Sequence, residues 1–202
     1  IFNGHLIKKG KIKKYIQKNK KKKLHLGSTK NLDGFLNSQI LGQVPIDITN
    51  TLPFSSNSFD IIFSSHLLEH IHKNQIEFFL MDSFRVLKNG GLNIIATPSL
   101  EKIFKICYTK NKNKLVFKDF SRRFYKDKFI CNSHIINLSF RAFGHRFIVD
   151  SEYIKKLSID IGYSNTKEIK INQIPDQTIK NYIKKYKPIR WQLETSIFVL
   201  RK

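Results

Sequence analysis

The chain has 202 residues and carries 37 Lys and Arg against 15 Asp and Glu, a formal net charge of +22 at pH 7. This length is enough for one domain with a full hydrophobic core and too short for two ordinary ones. With 41% hydrophobic and 12% aromatic residues, the composition excludes an intrinsically disordered chain. No membrane-length apolar run or signal-peptide pattern occurs, and two separated cysteines exclude a zinc ribbon, so we expect a cytoplasmic protein.

The first predicted element is a basic helix within residues 1–22. Lys8–Lys23 contains ten lysines, among which Ile12, Tyr15 and Ile16 stand at the spacing of one thin helical face. We interpret this segment as a helix lying across a core, with contact to a polyanion as the alternative. Residues 23–202 then form the main domain.

From Lys23 onward, short apolar runs alternate with amphipathic segments, which is typical of an α/β domain. The predicted strands are Leu24–Leu26, Phe35–Ile40, Asp60–Ser64, Leu92–Thr97, 166–172 and Thr195–Leu200. The predicted helices are Gln75–Leu87, 99–109, 134–142 and 151–161, with Asn89-Gly90-Gly91 ending the first and Ser151 and Gly162 bounding the last. About eight residues separate the first two strands, fewer than a helical crossover takes. Either that connection lacks a helix, or these two strands do not pair.

A series of short motifs then follows a recognisable order. They are Leu26-Gly27-Ser28, Gly34-Phe35-Leu36-Asn37, Asp47 with Leu52-Pro53-Phe54, Asn57-Ser58-Phe59-Asp60, Glu69-His70, Arg85–Gly91, Ala96-Thr97-Pro98 and Phe143-Gly144-His145-Arg146-Phe147. In this order they resemble small, type-11-like S-adenosylmethionine-dependent methyltransferases, and the resemblance covers about four-fifths of the chain. It implies a doubly wound α/β fold, a Rossmann-like methyltransferase fold whose mostly parallel sheet has helices on both faces and an antiparallel last strand.

The resemblance implies S-adenosylmethionine as cofactor. Gly27 follows a strand and permits a backbone conformation close to a ligand. By the resemblance, Gly27, Ser28 and Thr29 line the methionine end, with Thr29 in place of the usual second glycine. Gln39 stands where the family places an acid that binds the ribose, and its amide accepts such a bond without a charge to strengthen it.

Two further segments complete the predicted cofactor site. Asp47 matches the acid that receives the adenine amino group, with Ile48 beside the ring; a turn or cap role is the alternative for Asp47. Ser64, Ser65 and His66 follow the central strand, and ligands of open α/β sheets bind outside the carboxyl ends of strands. We therefore predict these three residues on the cofactor side.

Methyl transfer needs a nucleophile held in line with the donor, and a hydroxyl or amine acceptor also favours a base near neutral pH. His70 and His145 are the predicted catalytic residues, with a loop-ordering role as the alternative for each. His66 and His70 would share a helical face beside Glu69, yet no third ligand stands out, so we predict no metal. The insert at about 99–150, rich in aromatic and basic residues, is predicted to shape the acceptor pocket.

The sequence thus predicts an S-adenosylmethionine-dependent methyltransferase, and the resemblance alone suggests a small-molecule or carbohydrate-like acceptor. One alternative is an RNA-binding or RNA-modifying protein that uses Lys8–Lys23, which the small share of arginine, 7 of the 37 basic residues, disfavours. A second is a non-catalytic member of the fold that has lost the cofactor, as Thr29 and Gln39 suggest. The oligomeric state stays open.

Overall fold

The computed structural model describes residues 9–28, 30–39, 44–108, 114–126, 129–186 and 189–202. Within these residues lie six strands, eight α-helices and two short 3₁₀ turns. The strands are β1 Lys23–Leu26, β2 Leu36–Ser38, β3 Phe59–Ser65, β4 Leu87–Pro98, β5 Asn165–Ile169 and β6 Thr195–Arg201. The helices are α1 Lys9–Lys18, α2 Lys73–Val86, α3 Leu100–Tyr108, α4 Lys114–Phe124, α5 Asn132–Arg141, α6 Ser151–Ile161, α7 Gln177–Tyr186 and α8 Ile189–Glu194. The 3₁₀ turns are Leu68–His70 and Ile171–Gln173.

All six strands form one sheet in the order β2-β1-β3-β4-β6-β5. The first four run parallel, and β6 lies antiparallel between β4 and β5. The predicted doubly wound, mostly parallel sheet with an antiparallel last strand is therefore confirmed. β1 and β2 do pair, with Leu24 opposite Leu36, and the residues described between them form no helix. The short connection is explained by the absence of a helix there, not by unpaired strands.

Apolar side chains cover both faces of the sheet. On one face, Ile76 and Phe79 of α2 and Ile154 of α6 pack with strand residues in one buried cluster. On the other, Ile179 of α7 and Trp191 of α8 pack in a second. Helices α3, α4 and α5 enclose a third, smaller apolar cluster, so the segment after β4 has a core of its own. No helix among the described residues is both long and apolar enough to cross a bilayer.

The basic helix α1 rests on the first of these clusters through one narrow face. Ile12 and Tyr15 pack against it, and the Tyr15 hydroxyl lies 2.8 Å from the carbonyl oxygens of Lys23 and Gly34. Lys13 and Lys14 are exposed. The helix ends at Lys18, before the four consecutive lysines at positions 20–23.

Several element boundaries differ from the sequence prediction. Helix α2 ends at Val86, and β4 begins at once with Leu87, so Gly90 and Gly91 lie inside the strand rather than at a helix end. The pairing of β3 with β4 shifts register there, between Phe59 and Ile61, which is where a strand accommodates extra residues. Helix α6 is capped by Asp150, whose carboxylate accepts from the Tyr153 amide at 2.7 Å, and not by Ser151.

The sequence prediction missed α4, α7 and α8. In α7 the signal was present: Asp176 precedes the helix and accepts from the Ile179 amide at 3.1 Å, and Ile179, Tyr182 and Ile183 repeat at helical spacing and are buried. The high lysine content of this stretch obscured the apolar face. Helix α8 has only six residues, too few for periodicity to be read.

We predict that Asp60→Asn lowers stability at neutral pH but not in acid. The Asp60 carboxylate accepts from the Lys22 amide at 2.7 Å and from Lys88 Nζ at 2.8 Å. Burial alone would raise its pKa, but these bonds outweigh burial and lower the pKa of Asp60 below the ordinary value. Its contribution is complete above the unfolded-state pKa and is lost as pH falls through the folded-state pKa. Because the site is partly exposed, we expect a loss of about 1 kcal/mol at pH 7.

Urea unfolding at pH 7 and at a series of pH values that descends from the unfolded-state pKa of about 3.9 measures this difference, which should shrink as the pH falls through the folded-state pKa. Asp33→Asn, at an exposed turn residue, is the matched control and should change little at either pH. An equal loss for Asp60→Asn at both pH values would contradict a role for the charge.

Candidate functional site

The carboxyl ends of β3 and β4 border a cavity of about 220 Å³. This volume lies below the roughly 300–1,000 Å³ of drug-sized ligand pockets, so it suits a small molecule or one end of a larger one. Its walls combine side chains from the sheet edge with side chains from α3, α4 and α5. The lining residues are His66, His70, Pro98, Ile103, Phe120, Ser139, Phe143, His145 and Glu194.

His66, the first residue after β3, is held in place from three directions. Its ring Nε2 lies 2.9 Å from Thr195 Oγ1, its Nδ1 lies 3.1 Å from Glu69 Oε1, and the ring stacks on Trp191. Its backbone is left-handed, with φ of +51°. A non-glycine residue in this conformation costs on the order of 1 kcal/mol, and such residues cluster at functional sites. His66 therefore helps to fix the cavity wall.

Glu69 lies fully buried behind this wall. Its Oε2 accepts from the Thr97 hydroxyl at 3.2 Å, while its backbone carbonyl accepts from the amides of Arg146 and Phe147 at 2.7 and 3.3 Å. Burial alone would raise the pKa of Glu69, but the neighbouring rings of His66 and His70 outweigh burial and lower it. The carboxylate is therefore ionised at neutral pH. One residue thus joins the end of β3 to the end of β4 and to the loop after α5.

His70 and His145 come from different parts of the chain and meet at the cavity. His70 ends the 3₁₀ turn after β3, and His145 lies in the loop after α5; their ring centroids are 5.1 Å apart. His145 Nδ1 lies 2.6 Å from the Ser139 carbonyl oxygen, so it donates there and leaves Nε2 as the acceptor nitrogen. Partial burial lowers the pKa of His145, so its ring is neutral at pH 7. The two predicted catalytic histidines are therefore neighbours.

Three buried serine hydroxyls lie at the carboxyl ends of β2 and β3. Ser64 and Ser65 end β3 as predicted, and Ser38 ends β2. None of the three Oγ atoms has a hydrogen-bond partner among the described residues. Because Leu26 pairs with both Ser38 and Ser64, these two hydroxyls share one face of the sheet. Buried hydroxyls without partners are costly, and they are suited to bind a polar ligand. The sequence predicts Gln39 as the polar residue at the end of β2 and does not identify Ser38.

The turn after β1 has the glycine geometry that the sequence predicts. Gly27 has φ of +66°, a conformation that favours glycine. A Cβ placed on it would lie 2.8 Å from the Leu67 side chain, so the turn and the segment after β3 approach closely. Ser28 is buried, and its amide donates to the Ser38 carbonyl at 2.9 Å, so this amide is already used. Thr29 lies outside the described residues.

The predicted adenine and ribose residues are not among those that line the cavity. Asp47 is exposed, and its carboxylate accepts from the Thr49 amide and hydroxyl and from the Asn50 side chain at 2.8–2.9 Å. It therefore stabilises its own turn, the alternative that the sequence left open. Ile48 is buried in the core under the first face, and Gln39 is exposed just beyond β2. These residues stay predictions as cofactor contacts.

S-adenosylmethionine fits the residues present at the serine and glycine side of the site. The supporting observation is the row of unpartnered hydroxyls of Ser38 and Ser64 on either side of β1, next to the left-handed Gly27. Hydroxyls can both donate to and accept from the polar groups of a nucleoside. At Asp47 the fit is weaker, because neighbouring donors already bind both carboxylate oxygens.

Comparison with known proteins decides the class. The family model described as a methyltransferase domain matches residues 15–95, which include α1 from Tyr15, β1 to β3 and most of β4. Residues 15–95 are thus similar to a methyltransferase domain, and the solved structures that share the fold include a SAM-dependent methyltransferase. The predicted class, fold and cofactor are thereby confirmed. Among curated proteins, none matches the sequence.

The methyltransferase domain is also similar to solved structures. A SAM-dependent methyltransferase from Archaeoglobus fulgidus superposes with a TM-score of 0.54 at 16% identity, over 96% of this chain and 92% of that chain. The complex of the Haloferax volcanii Trm112 methyltransferase activator with a putative methyltransferase matches at 0.50 and 11% identity, over 94% and 87%. The CurJ carbon methyltransferase matches at 0.52 and 11%, over 94% of this chain and 51% of that one. At these identities, the similarity shows the shared fold.

We predict that Gly27→Ala destabilises this methyltransferase domain more than Gly34→Ala does. Both glycines are left-handed, which costs an alanine roughly 1–2 kcal/mol, but only Gly27 has a side chain, Leu67, within 4 Å of the added methyl group. Overpacking adds about 1–3 kcal/mol at Gly27. Urea unfolding measures both losses, and Leu67→Ala combined with Gly27→Ala should recover the overpacking part. Equal losses at the two glycines would contradict the close approach of Leu67.

Proposed function

We propose that this domain transfers a methyl group from S-adenosylmethionine to a small acceptor that binds in the histidine-lined cavity. The observation that carries the proposal is the meeting of His66, His70 and His145 at the cavity, directly beyond Ser64 and Ser65 of β3. In open α/β sheets, ligands bind at this carboxyl edge. The donor side and the acceptor side are therefore adjacent along the chain.

The cofactor, when bound, supplies a methyl group on a positively charged sulfonium. We propose that Ser38 and Ser64 hold its polar groups and that Gly27 allows its close approach. Ser28, Ser65 and His66 lie at the same edge, where Ser28 and His66 serve chiefly to fix the turn and the wall through the contacts described above. Asp47, Ile48, Gln39 and Thr29 remain predicted contacts of its nucleoside and methionine ends.

His70 and His145 are the side chains that we propose contact the nucleophilic atom of the acceptor. Nε2 of His145 is a neutral ring nitrogen whose orientation the Ser139 carbonyl fixes. A hydroxyl or amine that donates to it would be held in one orientation, and orientation supplies much of the rate of such transfers. That one of these rings acts as a base stays a prediction.

The segment between β4 and α6 forms the acceptor side of the cavity. Ile103 of α3, Phe120 of α4 and Phe143 of the loop after α5 supply apolar walls, while the histidines and Glu194 supply polar ones. A small cavity with mixed walls suits an acceptor that has an apolar body and one hydroxyl or amine. The carbohydrate-like acceptor of the sequence prediction is the more specific form of this proposal, and a cytoplasmic location goes with it.

We predict that His70→Ala and His145→Ala lower methyl transfer at least tenfold and leave cofactor affinity unchanged. The reason is that both rings face the acceptor cavity rather than the serine edge. Transfer of labelled methyl from S-adenosylmethionine to a panel of small phenols, amines and sugars measures the rate, and calorimetry measures the affinity. His72→Ala, at an exposed residue, is the control. Unchanged transfer in both variants would contradict the acceptor site.

We predict that Ser64→Ala weakens S-adenosylmethionine binding by about 1 kcal/mol, roughly fivefold, without lowering the melting temperature. Its buried hydroxyl has no partner among the described residues, so its removal costs the folded protein nothing, whereas a bound nucleoside would lose a hydrogen bond. Calorimetry and thermal unfolding measure the two effects. If Asp47 pairs with adenine, Asp47→Ala weakens binding by roughly 1–3 kcal/mol. Unchanged affinity in Ser64→Ala would remove the serine edge from the site.

The same calorimetry separates the two alternatives. No binding of S-adenosylmethionine to the wild-type chain would favour a non-catalytic member of the fold. RNA binding that weakens as salt rises, and further when Lys13 and Lys14 of α1 are replaced, would favour the nucleic-acid alternative. The anchoring of α1 through Ile12 and Tyr15 leaves these two lysines exposed, which is also the arrangement of an ordinary solvated face.

A further inference from the structure

Three side chains, two that line the cavity and one buried behind its wall, have the chemistry of metal ligands. Glu69, His70 and His145 each offer one ligand atom, and these atoms all lie within 4.8 Å of one another. Glu69 and His70 are adjacent in sequence, whereas His145 comes from a loop 75 residues after His70. From the sequence alone, only His66 and His70 could be paired as metal ligands, since no pattern identifies His145 as a third ligand.

The structure also shows why His66 is not one of this set. Both of its ring nitrogens are engaged, one at 2.9 Å from Thr195 Oγ1 and the other at 3.1 Å from Glu69 Oε1. His66 therefore contacts and orients the Glu69 carboxylate without being a ligand itself. Such outer contacts orient metal ligands and are a regular part of metal sites.

His145 shows the same kind of support independently. Its Nδ1 donates to the Ser139 carbonyl oxygen at 2.6 Å. Metal-binding histidines almost always donate their second ring N–H to a carboxylate, a carbonyl oxygen or water, because this fixes the tautomer and the ring orientation. The remaining Nε2 then has a lone pair that can bind an ion.

The loop that carries His145 is tied to Glu69 itself. The amides of Arg146 and Phe147 both donate to the Glu69 carbonyl oxygen, at 2.7 and 3.3 Å. Phe143 and Gly144 just before it are left-handed, with φ of +60° and +75°. The backbone therefore bends sharply to bring a distant histidine next to the Glu69-His70 pair.

We propose that Glu69, His70 and His145 bind a divalent transition-metal ion of the Zn²⁺ type, with a fourth position open to the cavity. A carboxylate with two imidazoles is a common ligand set of catalytic zinc sites. Ligand atoms around such an ion lie about 3.4 Å apart, so ligand atoms within 4.8 Å of one another need to approach by at most about 1.4 Å. This site departs from the sequence prediction of no metal.

The open position identifies the class of acceptor. A hydroxyl oxygen of the acceptor would bind the ion in place of the hydrogen bond to His145 described above. This part of the inference rests on the proposed function, since it places the acceptor in the same cavity. The binding of the ion does not depend on it.

Metal binding is tested on the tag-free, full chain. After treatment with a chelator, titration with Zn²⁺ in a calorimeter and with Co²⁺ by visible absorption should show one bound ion, with the spectrum of a four-coordinate site for Co²⁺. Glu69→Gln and His70→Ala should each weaken binding at least tenfold. If the buried Glu69→Gln variant fails to fold, the affinity of His70→Ala, a change at an exposed residue, is the test of the proposal.

The matched control removes a different pair of potential ligands, in α5 and just before it. Cys131 Sγ lies 3.1 Å from His134 Nδ1, so Cys131→Ser with His134→Ala should leave the affinity unchanged. Failure of the wild type to bind either ion, equal binding by His70→Ala, or loss of binding in this control would overturn the proposal. Methyl transfer by a wild-type chain that binds neither ion would leave the proposed function standing while the metal inference fails. Binding of an ion by a chain that shows no methyl transfer would support the metal inference while the proposed function fails.

Discussion

The site is organised around one buried carboxylate. Glu69 has no exposed surface, and a charge in such a place must be compensated by close polar partners. Its side chain is bordered by His66 and Thr97, and its backbone carbonyl binds the loop after α5. The partners come from the ends of β3 and β4 and from the acceptor-side segment. Glu69 therefore links the sheet edge to that segment, through its carboxylate on one side and its backbone carbonyl on the other.

This constraint explains why the cavity lies where it does. The parallel strands bring Ser64, Ser65 and His66 to one edge of the sheet, and the loop attached to Glu69 places His145 opposite His70. In the proposed function, the donor side and the acceptor side then share the segment from Ser64 to His70. A methyl donor and its acceptor must be in contact for transfer, and a single short segment between two strands can hold both.

Much of the sheet could be predicted because its strands are short apolar runs, each followed by a turn, as in Phe59–Ser65. The roles of residues in ligand binding were harder to predict, because they depend on contacts between residues that are distant in sequence. His70 and His145 were named as candidates from the family resemblance, whereas their proximity comes from the Glu69 carbonyl and the left-handed Phe143. Ser38 was missed because its value lies in a buried hydroxyl without a described partner, which no local pattern reveals.

A crystal structure with S-adenosylhomocysteine tests the central claim most directly, that the donor and acceptor sides meet between Ser64 and His70. The account predicts a nucleoside bound along the edge formed by Ser38 and Ser64, beside Gly27, with its sulfur directed toward the cavity of His70 and His145. A ligand bound elsewhere, or a sulfur that faces away from those two histidines, would contradict it.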